Sequence, residues 1–337
     1  PSLVFDFEQN YYRTGGTETT LNPAVTHTRA GQATMTDSDG EIKWAPHNLM
    51  PYSEDFSNFT QSDNKGDSSL TFTQITDSTN PIGASLVTKV SPNFVTDPQG
   101  QARSVRLYKN IGTTQGGEIL SLSVFVKPIT TTSTYPADIE RDLYLDFNTD
   151  GSVSGNVYVN LNSQVTSGSN VTYTSVGDGW YKATAQITRN ANLDTSTHCF
   201  IFLSNRVSNS FDPYPQAGLD VRLTGFHVFR SNLGGMVDNP ARGDSYVPTT
   251  SSAVYLPRVG HHIYNGDAWV NEGLLHESEV RTNLVANSND LTNAEWANSS
   301  SSTTPNAGVS PDGTSNANKV VPGTTSNVHY TYVTKDL

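Results

Sequence analysis

One cysteine in 337 residues excludes an internal disulfide. Cys199, set between His198 and Phe200, reads as a small buried hydrophobe. Basic residues are also few: Lys and Arg number 20 against 32 Asp and Glu, for a net charge of −12. With no Lys/Arg cluster to offset it, such a surface repels a phosphate backbone, and nucleic acid is excluded as a partner. No apolar run approaches the ~18 residues of a membrane span, so membrane insertion is not expected. The stretch Pro1-Ser-Leu-Val-Phe-Asp-Phe7 has neither the basic region nor the apolar core of a signal peptide. These absences fit a soluble protein made in a reducing cytosol.

Hydrophobic residues make up 34% of the chain and charged ones 15%. Neither is enough for long amphipathic helices. Ser, Thr and Asn fill the remainder, with 26 Gly and 17 Pro. Val, Ile, Tyr and Phe scattered in such segments suit short strands joined by turns. The expected fold class is all-β.

What the sequence does have is a repeat. Asn48-Leu-Met-Pro-Tyr-Ser-Glu-Asp-Phe-Ser-Asn58 returns as Asn283-Leu-Val-Ala-Asn-Ser-Asn-Asp-Leu-Thr-Asn293. Asn48, Leu49, Ser53, Asp55 and Asn58 recur as Asn283, Leu284, Ser288, Asp290 and Asn293. Downstream, Gly83-Ala-Ser-Leu-Val-Thr-Lys-Val90 answers Gly313-Thr-Ser-Asn-Ala-Asn-Lys-Val320. Two matches in one order indicate two copies of a module. A lead-in recurs more loosely, with Arg29 and Asp39-Gly40 answered by Arg258 and Asn265-Gly266. In the first lead-in Asp37-Ser-Asp-Gly40 separates two alternating runs, a hairpin signal.

The chain thus divides into an N-terminal hairpin and anchoring segment (1–47), a complete module (48–250), a connector (251–282) and the start of a second copy (283–337). Candidate strands in the module are 70–75, 85–90, 102–111, 119–127, 142–147, 153–160, 171–175, 180–189, 199–203 and 221–230. In the clearest, Leu120, Leu122, Val124 and Val126 share one face. Strands in such number without helical spacers predict a two-sheet sandwich with jelly-roll-like connections, although alternation leaves the strand order open. Matching Lys109-Asn-Ile111 to Lys335-Asp-Leu337 stops the second copy before its counterpart of that strand. Half a sandwich exposes an apolar face. The expectation is a longer polypeptide or a second chain that completes it.

Several constellations bear on chemistry. In Asp146-Phe-Asn-Thr-Asp-Gly151, Asp146, Asn148 and Asp150 stand at the first three oxygen-ligand positions of a calcium loop. Val157 occupies the position that needs a bidentate Glu, and a hairpin turn explains the same residues. Ca2+ is the one candidate cofactor; no other is expected. Trp180 and Tyr181, in Gly177-Asp-Gly-Trp-Tyr181, suit an aromatic platform for a sugar ring, or else Trp180 plugs the core. Tyr52 and Trp44 carry the same two readings. His261, His262, Asp267 and His276 lack tight metal-ligand spacing. Arg242-Gly-Asp244 spells a cell-adhesion tripeptide that turn chemistry also accounts for. Acidic pairs such as Glu54-Asp55 lie in polar segments, and no nucleophile motif, phosphate loop or zinc signature is present. An enzyme is not expected.

Taken together these residues resemble a modular family of tailed-bacteriophage structural proteins. The resemblance rests on the opening at Asn48–Asn58, the strand Leu120–Lys127 and the hairpin Phe147–Val153. It rests also on Gly177–Tyr181, on the closing Ser245-Tyr-Val-Pro-Thr249, and on the connector segments Glu272–Glu277 and Arg281–Leu284. It implies tandem jelly-roll-like sandwiches, concanavalin-like or carbohydrate-binding-module-like, preceded by hairpin lead-ins. It further implies a virion protein of a tail fibre, tail spike or head appendage, made in the host cytoplasm and displayed on the particle exterior. Its partners would be other virion proteins, host surface polysaccharide and copies of itself, trimers being common in such appendages. A capsid-decorating head fibre or cement protein is one alternative, and the N-terminal part of a polysaccharide depolymerase another. In the second opening Ala286-Asn287 replaces the Pro-Tyr pair, a departure from the family pattern.

Overall fold

Polar-apolar alternation resolves into strands in the computed structural model. It describes every residue except 26, 28, 30, 64–68, 94–103, 131–141, 150–157, 162–165, 169, 191–194, 208–209, 212–218, 277–284, 286, 311–314 and 335–337. Two units result: Pro46–Tyr255, and Pro1–Ala45 with Leu256–Leu337.

The strands of the two main sheets of the Pro46–Tyr255 unit are β1 (Thr60–Asp63), β2 (Ser69–Ile75), β3 (Val87–Asn93), β4 (Ser104–Thr114), β5 (Ile119–Thr130), β6 (Asp142–Thr149) and β7 (Tyr158–Asn160). They continue with β8 (Thr166–Ser167), β9 (Thr172–Gly177), β10 (Trp180–Thr188), β11 (Thr195–Val207), β12 (Ser210–Phe211) and β13 (Leu219–Arg230). One sheet runs β8-β7-β6-β11-β4-β1, with β12 beside β11, and the other β9-β10-β5-β13-β3-β2. Every pair in both sheets is antiparallel. The all-β class and the two-sheet sandwich hold. Each of the ten candidate strands overlaps an observed one. Strand β1 had no signal, since Thr60-Gln-Ser-Asp63 carries no apolar residue.

Alternation decides which face is inside. Leu120, Leu122, Val124 and Val126 of β5 are fully buried. They share one core with Val105 and Leu107 of β4, Ala183, Ala185 and Ile187 of β10, and Cys199 and Ile201 of β11. In β13 the buried set changes parity, from Val221 and Leu223 to Phe226 and Val228. A bulge makes the change: Ser123 pairs with His227, but Phe125 pairs with Thr224. Gly225 sits there at φ +65°, and a Cβ would lie 2.9 Å from the Phe125 ring. Both conformation and space call for glycine.

The opening and closing motifs of the module form one hydrogen-bonded seam. The buried Asn48 amide donates to Phe226 O (3.2 Å) and Val247 O (2.8 Å) and accepts from Met50 N (2.9 Å) and Val228 N (3.0 Å). All four of its bonding directions are used. Farther along, Ser53 N donates to Thr249 Oγ1 (3.1 Å), and Thr249 N donates to Ser53 Oγ (2.9 Å). Ser53 Oγ also bonds Tyr246 Oη at 2.8 Å. The recurrent Asn and Ser are therefore fasteners that close the chain on itself.

The second opening keeps the first one's local geometry. Asp55 Oδ1 accepts from Ser57 N (3.1 Å) and Oγ (2.6 Å), and Asp290 Oδ1 from Thr292 N (3.0 Å) and Oγ1 (2.6 Å). Tyr52 and Asn287 both have positive φ, 55° and 50°. Asn accepts that conformation more readily than Tyr, so the departure at Asn287 relaxes the turn. Pairing is kept too. Val105 opposes Asp63 as Thr331 opposes Asn298, and Thr73 opposes Lys89 as Thr304 opposes Lys319. Val90 is fully buried, whereas its counterpart Val320 is 42% exposed.

The lead-ins are hairpins: Thr34–Thr36 with Ile42–Trp44, and His262–Tyr264 with Trp269–Asn271. In the turns, Asp37 Oδ1 accepts from Asp39 N and Glu41 N, and Asn265 Oδ1 from Asp267 N and Ala268 N. Asp37, rather than Asp39, plays the part of Asn265.

Two buried ionisable groups, His227 and Asp77, contribute to the acid response. Nε2–H of His227, at 1% exposure, donates to His47 O at 2.9 Å. Burial lowers its pKa to about 3, against the raising effect of that bond and of Asp244, while Lys182 adds to the lowering. The unfolded chain takes this proton below about pH 6.5 and the fold does not. The contribution of His227 to stability is therefore full above that pH and falls towards pH 3, by about 1.4 kcal/mol per pH unit. Urea unfolding from pH 7 to 4.5 should show this slope, and His227→Phe should flatten it; an equal slope in the variant refutes the assignment.

Asp77 is the second group. Burial alone would raise its pKa, but the Thr79 hydroxyl, Arg222, the Thr79 amide and Lys127 outweigh it and hold the carboxyl at about 2. Its contribution is present above about pH 3.9 and lost as pH falls through the folded value. Asp77→Asn should cost about 2 kcal/mol at pH 7. A change below about 0.5 kcal/mol in denaturant titration would contradict this.

Candidate ligand-binding face

The predicted aromatic residues do not form one site. Trp180 is fully buried, packed with Ile82, Val87, Phe125 and Tyr246. Its indole N–H donates to Thr79 Oγ1 at 3.3 Å, and Lys127 Nζ lies 5.9 Å from a ring centroid. It offers no face to a sugar, because the segment carrying Thr79 and Ile82 closes over it. Tyr181 is half-buried on the opposite face of β10, stacked on Tyr173 at 4.5 Å and packed against the core. Tyr52 is half-buried under the Lys109 ammonium, 4.7 Å from its centroid. Trp44 lies half-buried on Ile42–Trp44 in the other unit.

Asp146 and Asn148 occupy β6, opposite Phe202 and Phe200 of β11. Asp150 lies outside the described residues, as do the side chains of Asp146 and Asn148. Among the described residues no cluster of three His, Cys, Asp or Glu could hold a metal. His261 Nδ1 accepts from Thr36 N at 3.1 Å, and His262 Nδ1 bonds Gly260 O at 2.9 Å. In the Arg-Gly-Asp tripeptide, Arg242 Nε and Nη2 reach Asp244 Oδ1 and Oδ2, each at 3.2 Å. Arg242 Nη1 also donates to Ile82 O. The tripeptide pairs with itself and fixes a turn.

The open site lies on the outer face of the six-stranded sheet. Register sets three rows there: Phe229-Ser121-Gln186, His227-Ser123-Thr184-Thr172, and Thr224-Phe125-Lys182-Thr174. The short hydroxyl residues lie between Phe229 and Gln186 on one side and Phe125 and Lys182 on the other. A row of small side chains between taller ones makes a trough. The result is a cleft of about 340 Å³, lined by Ser121, Ser123, Thr172, Lys182, Thr184, Gln186 and Phe229 among others. Thr172 and Thr184 share a hydrogen bond of 2.6 Å in the floor. Chemically the cleft offers hydroxyl donors and acceptors, the amides of Asn170 and Gln186, one ammonium and one aromatic wall.

Sequence reasoning missed this cleft. Ser121, Ser123, Lys182, Thr184 and Gln186 are legible as outward residues because they alternate with core positions. Their adjacency needs the β5-β10 register, which alternation does not supply. The outer face of the other sheet also carries aromatic character. Arg106 lies 5.0 Å from the centroid of Tyr108, which meets His198 edge-on at 5.4 Å.

No family model matches the chain, and no curated protein matches it. Among solved structures it is similar to the enzymatically active domain of bacteriophage CBA120 tailspike protein 4, with 13% identity and a TM-score of 0.32. That match covers 54% of this chain and 21% of the tailspike chain. The carbohydrate-binding module TmCBM61, in complex with beta-1,4-galactotriose, matches at 13% identity and TM-score 0.30, covering 54% of this chain and 98% of its own. The mannan-recognising module TmCBM27 matches at 12% identity and TM-score 0.29, covering 60% and 99%. At such low scores the likeness adds nothing to the sandwich assignment, which stands on the strand pairing itself.

Proposed function

We propose that this chain is a non-enzymatic structural protein of a tailed-phage particle, an exterior appendage whose sandwich module holds host surface polysaccharide. The observation that carries the glycan part is the cleft. A pyranose presents hydroxyls that donate and accept, and a CH face that packs on an aromatic ring. Ser121, Ser123, Thr184, Gln186 and Phe229 supply both kinds of partner around one depression. The appendage part is supported by the resemblance of the opening, closing and connector motifs to phage structural proteins. Two copies of the opening with the same hydrogen bonds at Asp55 and Asp290 fit a chain built of repeated modules. Other virion proteins and further copies of this chain are its proposed assembly partners.

The purified chain should be retained on host surface polysaccharide and should reduce phage adsorption when added first. Ser121→Trp, which fills the cleft from an outward position, should weaken retention at least about tenfold, or 1.4 kcal/mol, with an unchanged thermal melt. No retention by the parent, or equal retention by the variant, contradicts the reading. Immunogold on intact particles separates the locations: label at the tail supports an attachment appendage, and label over the head supports capsid decoration.

A further inference from the structure

The cleft contains one charged lining residue, Lys182. The other described lysines of this unit are engaged. Lys89 Nζ lies 2.7 Å from Asp220, Lys109 Nζ donates to Asn58 O at 2.6 Å, and Lys127 Nζ reaches Asp77 at 3.8 Å and Thr79 at 3.1 Å. Lys182 has no ion pair or hydrogen bond among the described residues. Its ammonium instead lies over the Phe125 ring, 5.6 Å from the centroid. In the register it stands beside Thr174 and Phe125, and Thr184 follows two residues on along the same strand face. The hydroxyl residues beside it carry no charge that would neutralise it. A half-buried ammonium held by a ring, with no anion paired to it among the described residues, suits an incoming carboxylate. The chain as a whole carries −12, so long-range attraction does not collect polyanions. Selection of an acidic ligand has to be local.

We infer that the sugar seated in the cleft is an acidic pyranose of the hexuronic type, with its carboxylate on Lys182. This rests on the glycan reading above and names its ligand class. No covalent step is involved.

The test titrates the full chain with the methyl glycosides of glucuronic and galacturonic acid and with their neutral parents, methyl glucoside and galactoside. Binding is followed by calorimetry and by amide shifts of residues 121–123 and 182–186. One of the acidic glycosides should bind at least about tenfold tighter than its neutral parent, a difference of 1.4 kcal/mol. Lys182→Gln should bring the two to equal affinity, and Ser121→Trp should remove both. Equal binding of acidic and neutral glycosides by the parent, or a Lys182→Gln variant that still prefers the acid, overturns the inference while leaving the glycan reading intact. If none of the four glycosides shifts the cleft amides, both fall.

Discussion

Everything in the Pro46–Tyr255 unit depends on a buried primary amide. Asn48 makes four hydrogen bonds to backbone groups that the sheets leave unpaired, at Met50, Phe226, Val228 and Val247. A side chain that meets four backbone groups at once fixes three chain segments relative to one another. Buried carbonyls and amides left without partners are costly, so no apolar residue of similar size replaces it. Ser53, Tyr246 and Thr249 continue the same closure a few residues on. The start and the end of the module are thereby one structural element, though nearly two hundred residues separate them.

Closure at that seam also shapes the outer face of the six-stranded sheet. The segment leading to Tyr246 and the segment carrying Asp77, Thr79 and Ile82 cover the part of the face around Trp180 and Phe125. The Asp77 ion pairs with Arg222 and Lys127 hold the second of these segments down. What they leave uncovered is the trough of Ser121, Thr172 and Thr184, with Ser123 buried beneath it. One face thus divides into an apolar plug and a polar cleft. The residue types follow the division, with Trp180 under the cover and Gln186 in the open.

The sequence made much of this legible, for physical reasons that differ by element. Leu120 to Val126 announce a half-buried strand because a β face repeats every second residue. Asp37-Ser-Asp-Gly40 announces a hairpin, and Thr34–Thr36 indeed pairs with Ile42–Trp44, with Gly40 at φ 82°. Strand β1 was silent, since its pairing to β4 uses backbone groups of a wholly polar tetrapeptide. The repeat marked Asn48 and Ser53, but their role lies in contacts with Phe226 and Thr249, which only the fold brings near. Trp180 suited both a sugar platform and a core plug, and burial decided for the plug. The cleft was invisible for the opposite reason: its residues are common, and register alone makes them neighbours.

Hydrogen exchange on the Asn48→Leu variant tests the closure most directly. The account predicts that protection of the Met50 and Val228 amides falls at least about a hundredfold, nearly 3 kcal/mol. The Ser53 and Thr249 amides, which Asn48 does not touch, should lose protection with them. Losses confined to Met50 and Val228, or no loss at all, would show that the seam does not close as one element.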